Sequence, residues 1–140
     1  MTLIKISSLL NTPPSSKTIL FENIVFGDTF MASSLNLIDT EGISTSRDIT
    51  FIFRNLTFSN IGYADGGNLM NLGHLLSTQV VIQDSTFNNL TSAGIVVGGA
   101  LGQQGLRSKV KIIDSKFSDY SSNSYSFIST YSGSELEIRN

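Results

Sequence analysis

The chain contains no cysteine. It therefore has no disulfide framework and no thiolate metal site. That fits a reducing compartment and leaves export open. Charge is also scarce, at 14% of residues, with nine Lys and Arg against 11 Asp and Glu. A net charge of −2 offers no electrostatic footprint for a phosphate backbone, which excludes nucleic acid as a partner. Long apolar runs are missing too. Met1 to Leu10 include Lys5 and hold no unbroken apolar stretch of about seven residues, so neither a signal peptide nor a transmembrane span is expected. There is one histidine, His74.

What the chain does have is a repeat. Val80-Val81-Ile82-Gln83-Asp84-Ser85-Thr86-Phe87-Asn88-Asn89 returns as Val110-Lys111-Ile112-Ile113-Asp114-Ser115-Lys116-Phe117-Ser118-Asp119. Earlier copies are Phe51-Ile52-Phe53-Arg54-Asn55-Leu56-Thr57-Phe58-Ser59-Asn60 and Ile19-Leu20-Phe21-Glu22-Asn23-Ile24-Val25-Phe26-Gly27-Asp28. Leu136-Glu137-Ile138-Arg139-Asn140 begins a fifth. The spacing is 26 to 32 residues, and a fixed period of this kind decides architecture before local detail does.

Positions one and three of every copy are apolar, which predicts a short strand with one face in a core. Position five is Asn or Asp throughout: Asn23, Asn55, Asp84, Asp114 and Asn140. These side chains bond nearby backbone and tolerate unusual dihedrals, so they mark a corner. Position eight is Phe in the four complete copies: Phe26, Phe58, Phe87 and Phe117. Two residues later come Asp28, Asn60, Asn89 and Asp119. A unit with one apolar strand face is not stable alone, and stacking copies at about 4.8 Å buries the faces against one another. The Phe residues are then expected to form one internal column and the Asn and Asp residues a ladder. A leucine-rich repeat lacks its Leu frame here, and the intervening segments, rich in Ser, Thr, Gly and Asn, are poor helix formers. The expected fold is all-β: a single right-handed parallel β-helix of about four or five rungs.

At 140 residues the chain suits one domain. Residues 1–16, with Pro13-Pro14, are expected to form an irregular first rung or cap, and 17–140 the repeats. Later strands of successive rungs are expected at Leu35 to Ile38, Leu69 to Leu76, Ile95 to Val97 and Tyr125 to Ile128. The last copy stops at its corner position, so the chain is expected either to be a segment of a longer protein or to stack its ends on something.

The whole pattern resembles the pectin-lyase-like parallel β-helices. Ser85-Thr86-Phe87-Asn88-Asn89 with Gly98-Gly99-Ala100-Leu101 looks more narrowly like the repeats of polymorphic outer membrane proteins. Gly66-Gly67-Asn68-Leu69 is a looser match. The resemblance implies a surface scaffold or adhesin rather than one chemistry. Cell-surface or secreted placement within a longer parent follows from the same resemblance.

Candidate sites are few. Asp84 and Asp114 fall at the same corner of adjacent rungs, the placement of paired carboxylates in glycan-cleaving enzymes or of two calcium ligands. The other copies carry Asn there, so a corner ladder is the reading taken, with no metal, cofactor or catalytic residue assigned. Gly73-His74 is similar to a polygalacturonase element, but the Asp-Asp and Arg-x-Lys partners of that family have no match. The run Gly98 to Gly105 lacks the Lys-Ser/Thr ending of a P-loop. Asn55 and Asn89 head glycosylation acceptor patterns, with Asn55 expected to be buried. Tyr63, Tyr120, Tyr125 and Tyr131 are the candidate stacking platforms if the chain binds carbohydrate. The outward face of the first strands carries Leu20, Ile52 and Val81 in a row, followed by Lys111 and Glu137. That row is the candidate contact strip for another protein chain. The expected function is a non-catalytic structural or adhesive scaffold, with a polysaccharide lyase or glycoside hydrolase, or a carbohydrate-binding module, as the alternative.

Overall fold

The computed structural model describes residues 4–5, 17–31, 36–39, 49–72, 79–98, 109–122, 126–131 and 135–140. His74, Leu35 and Gly99 to Gly105 lie outside the described residues, as does Tyr125. The described residues contain strands and no helix. In chain order these are β1 (Ile4–Lys5), β2 (Lys17–Glu22), β3 (Val25–Met31), β4 (Asn36–Asp39), β5 (Ile49–Arg54) and β6 (Thr57–Leu72). They continue as β7 (Gln79–Gln83), β8 (Thr86–Gly98), β9 (Lys109–Ile113), β10 (Lys116–Ser121), β11 (Ile128–Tyr131) and β12 (Glu135–Arg139).

The first strands of the five copies form one parallel sheet in the order β12-β9-β7-β5-β2. The strands that follow the turn form a second parallel sheet, β1-β4-β6-β8-β10, with β3 also on β6 and β11 also on β8. Registers obey the repeat. Ile19, Phe51, Val80, Val110 and Leu136 are successive partners, and so are Phe21, Phe53, Ile82, Ile112 and Ile138. Strand pairing is thus between equivalent positions of neighbouring copies, which the side-chain period of two enforces: a one-residue slip would turn every apolar side chain outward. Burial alternates accordingly along β5, with Phe51 and Phe53 at 0% exposure.

One hydrophobic cluster joins the two sheets. Phe51, Phe53, Val80 and Ile82 enter it from the first, and Phe58, Leu69, Met70 and Phe87 from the second. Phe58 and Phe87 of the phenylalanine column lie within it, and the column runs with Phe26 opposite Phe58, Phe58 opposite Phe87 and Phe87 opposite Phe117. The Phe58 and Phe87 rings stack at 5.5 Å and the Phe87 and Phe117 rings at 5.0 Å. Only the middle of the column is sealed. Phe58 and Phe87 are buried, Phe26 is half-buried and Phe117 is 37% exposed, which corrects the expectation of four internal rings. Among the described residues no strand pairs with the far edge of β10, so Phe117 has a ring neighbour on one face, with Phe127 meeting it edge-on at 5.1 Å.

Two further differences concern the second sheet. Of the later strands expected at Leu69 to Leu76 and Ile95 to Val97, residues 69–72 and 95–97 belong to the ends of long strands, β6 and β8, rather than to separate elements, and residues 73–76 lie outside the described residues. Their pairing shifts register between Gly62 and Gly67, where β6 absorbs extra residues as a bulge. A Cβ at Gly67 would enter the Tyr63 ring, so glycine there is a packing requirement. The strand expected from Tyr125 to Ile128 begins instead at Ile128.

Tyr63 is 1% exposed and donates its hydroxyl proton to the Asn68 carbonyl at 3.3 Å. Burial pushes its pKa up to about 12 from 10.0, because the phenolate would lose its hydration. The folded state therefore holds the Tyr63 proton where the unfolded chain releases it. Stability from this group is complete below pH 10 and falls as pH rises toward about 12. Spectrophotometric titration should show one tyrosine ionising late, and Tyr63→Phe should flatten the alkaline loss of stability. Mid-column, Phe87→Ala should cost about 3–5 kcal/mol in urea unfolding, as for other large core truncations. A smaller loss for Phe117→Ala in the same assay should follow from its exposure.

Candidate functional site

The sites grow out of two left-handed positions per copy, one in the turn between strands and one within the second strand. Between the first and second strands the chain changes sheet at Asn23, Asn55, Asp84 and Asp114, with φ of 58°, 53°, 51° and 46°. Asn and Asp enter this left-handed region more easily than most residues. The backbone N–H of each then points along the stack: Asn23 donates to the Arg54 carbonyl, Asn55 to that of Gln83, Asp84 to that of Ile113 and Asp114 to that of Arg139. The second set, Asp28, Asn60, Asn89 and Asp119, repeats the device with φ from 50° to 55°.

Both sets project outward. Asn55 Nδ2 donates to Asn23 Oδ1 at 2.6 Å, forming a surface amide ladder. Asn55 is exposed, not buried as its corner position suggested, because the inward place at each turn belongs to the next residue. That residue is Ile24, partly buried, or Leu56, Ser85 or Ser115, each buried. Asn89 is likewise exposed. Asp84 and Asp114 stand on adjacent copies as expected, and both are exposed. Asp84 Oδ2 accepts from Gln83 Nε2 at 2.9 Å. An open hollow of about 460 Å³ is lined by Asp114, Ser115, Lys116, Phe117 and Asn140. Among the described residues no group of three or more His, Asp or Glu is placed to hold a metal ion.

The outward row of the first strands is aligned in register. Leu20, Ile52, Val81, Lys111 and Glu137 are successive partners across the first sheet. Leu20 is 48% exposed, and Ile52 and Val81 are half-buried. Two positions along, Arg54 Nε donates to Glu22 Oε1 at 2.6 Å. At the other end Lys111 pairs with Glu137 at 3.7 Å, and Arg139 also pairs with Glu137. Charges thus lie beside the apolar row and beyond its Val81 end. The tyrosines divide differently. Tyr63 is buried and cannot serve as a stacking platform, and Tyr120 is half-buried with its ring edge-on to Phe127 at 5.2 Å. The side chain of Tyr131, like all of Tyr125, lies outside the described residues.

Sequence reasoning missed the inward serines. Ser85 Oγ accepts the buried Leu56 N–H at 3.1 Å and donates to the Gln83 carbonyl at 2.8 Å. Ser115 Oγ accepts from Ser85 N–H at 3.2 Å and donates to the Ile113 carbonyl at 2.9 Å. The repeated Asp-Ser pair at Asp84-Ser85 and Asp114-Ser115 was the available signal. It missed Phe30 as well, which is 71% exposed on β3.

No protein-family model, curated protein or solved structure matches this chain. Among the described residues no helix is long and apolar enough to cross a membrane.

Ser85→Ala should leave the Leu56 N–H buried without an acceptor. The expected loss is about 1–3 kcal/mol, with Ser85→Thr retaining part of it. Thermal unfolding of the two variants measures the difference.

Proposed function

We propose that this chain is a right-handed parallel β-helix that serves as a non-catalytic structural or adhesive scaffold and contacts other protein chains through its strand faces. Parallel pairing of equivalent positions, copy after copy, supports the coil. Its hand follows from the strong right-handed preference of parallel crossovers. Resemblance to pectin-lyase-like proteins and to polymorphic outer membrane protein repeats fits a segment of a larger cell-surface or secreted protein. The observation that carries the reading is the Leu20-Ile52-Val81 row. Its flanking positions one and three are already committed to the core, so these aliphatics face outward by register. Outward aliphatics aligned in three successive strands make a continuous strip, where scattered ones would need no explanation. The Glu22–Arg54 pair beside it supplies a polar rim that favours one orientation of a partner.

The test is the double variant Ile52→Lys with Val81→Lys. Circular dichroism should show the strand spectrum unchanged, and sedimentation or pull-down should show protein association lost. Association that survives both lysines would overturn the reading, as would collapse of the fold, which would place these side chains in packing rather than on a surface.

A further inference from the structure

The second sheet carries a different surface. Phe30 on β3 pairs in register with Gly62 on β6, and Gly62 pairs with Thr91 on β8. A Cβ at Gly62 would lie 2.8 Å from Phe30 Cδ2, so the ring lies over a stretch of bare backbone. Thr91 continues the row with its hydroxyl, whose Oγ1 is 3.2 Å from Ser121 Oγ. Alongside runs the second ladder. Asn60 Nδ2 donates to Asp28 Oδ1 at 2.7 Å, and Asn89 Nδ2 donates to Asn60 Oδ1 at 2.9 Å. The two rows enclose an open depression of about 330 Å³ lined by both.

We propose that this depression binds a neutral pyranose unit of an oligosaccharide. Three features of the chemistry point to that class. An exposed flat ring offers its π face to the C–H face of a sugar, a contact that suits a ligand apolar on one side and polar at its edge. The ladder holds its planar groups in fixed orientation while using one N–H of each amide. Among the described residues, the second N–H of Asn60 and of Asn89, with Asp28 Oδ2 and Asn89 Oδ1, remains for vicinal hydroxyls, which need a donor and an acceptor side by side. None of the lining residues is cationic, and Asp28 is anionic. A uronate would meet an uncompensated carboxylate, so the site selects neutral sugars over acidic ones. The left-handed backbone at Asp28, Asn60 and Asn89, within β3, β6 and β8, pre-sets the polar groups, which lowers the ordering cost of a weak ligand. This site lies on the other sheet from the Leu20-Ile52-Val81 strip and does not rest on the scaffold reading.

The experiment uses mannotetraose, cellotetraose and xylotetraose, with tetragalacturonate as the acidic counterpart, in saturation-transfer NMR and calorimetric titration. At least one neutral oligosaccharide should bind the unaltered chain. Phe30→Ala should weaken it about tenfold or more, with melting unchanged because the ring is exposed. Phe30→Leu keeps an apolar cover over Gly62 but removes the flat face, and should weaken binding likewise if the alanine variant is unstable. Asp28→Asn should reduce the preference against tetragalacturonate. Ile52→Lys with Val81→Lys should leave sugar binding intact, which separates the two surfaces. Absence of binding by all three neutral sugars, undiminished binding by both Phe30 variants, or preference for tetragalacturonate would overturn the proposal.

Discussion

Between the two strands of each copy the chain must leave one sheet and enter the other within two residues. An L-residue at positive φ is what that turn demands, and Asn23, Asn55, Asp84 and Asp114 supply it. Much follows from this geometry. The N–H of the turn residue reaches the carbonyl of the neighbouring copy, so the turn is also a link in the stack. Its side chain is thrown outward, where it can pair with its counterpart one copy away. The next residue is thrown inward, and isoleucine, leucine or serine occupies it. A serine there must answer for its own hydroxyl, and it does so by bonding a carbonyl two residues back and an amide one copy away.

The same regularity makes stability uneven along the stack. In the middle, Phe51, Phe53, Val80 and Ile82 have neighbours on both sides and are fully buried. Toward the edges of the first sheet, Ile19 and Phe21 are half-buried, and Leu136 and Ile138 are 46% and 58% exposed. These residues occupy equivalent positions in register, so exposure follows location in the stack, not residue type. In repeat architectures energy is shared between neighbours, and a unit with one neighbour is held less firmly than a unit with two. Ion pairs such as Lys109–Glu135, both well exposed, add little to that balance.

Two surfaces with different chemistry emerge from one repeat. Position two of the first strand is free of the core and drifts from aliphatic to charged along the chain. On the second sheet, one large ring beside one glycine lines a depression together with the second row of Asn and Asp. Phe30 and Gly62 are 32 residues apart and belong to no motif. Their neighbourhood depends on the register of β3 against β6, and on a bulge a few residues later that lets β6 run longer than its partner.

How much was legible follows from the same distinction. The apolar alternation at positions one and three, the Phe at position eight and the Asn or Asp at position five are local and periodic. They specified strands, parallel pairing between copies and the outward row Leu20-Ile52-Val81, because a period-two side chain has only two faces to choose from. They also specified the left-handed turns, since few other residue types accept that conformation. Tertiary structure decided what periodicity does not encode. Exposure of Phe117 depends on what lies beyond β10. Burial of Tyr63 depends on a bulge and on Gly67 beneath its ring. The outward direction of Asn55 depends on the turn's three-dimensional sense, which a one-dimensional pattern of Asn and Asp leaves open. The hydroxyls of Ser85 and Ser115 acquire their function only when the amide of another copy arrives 3.1 to 3.2 Å away. A repeat determines which residues are equivalent, whereas contacts between copies and the ends of the stack determine what each equivalent residue does.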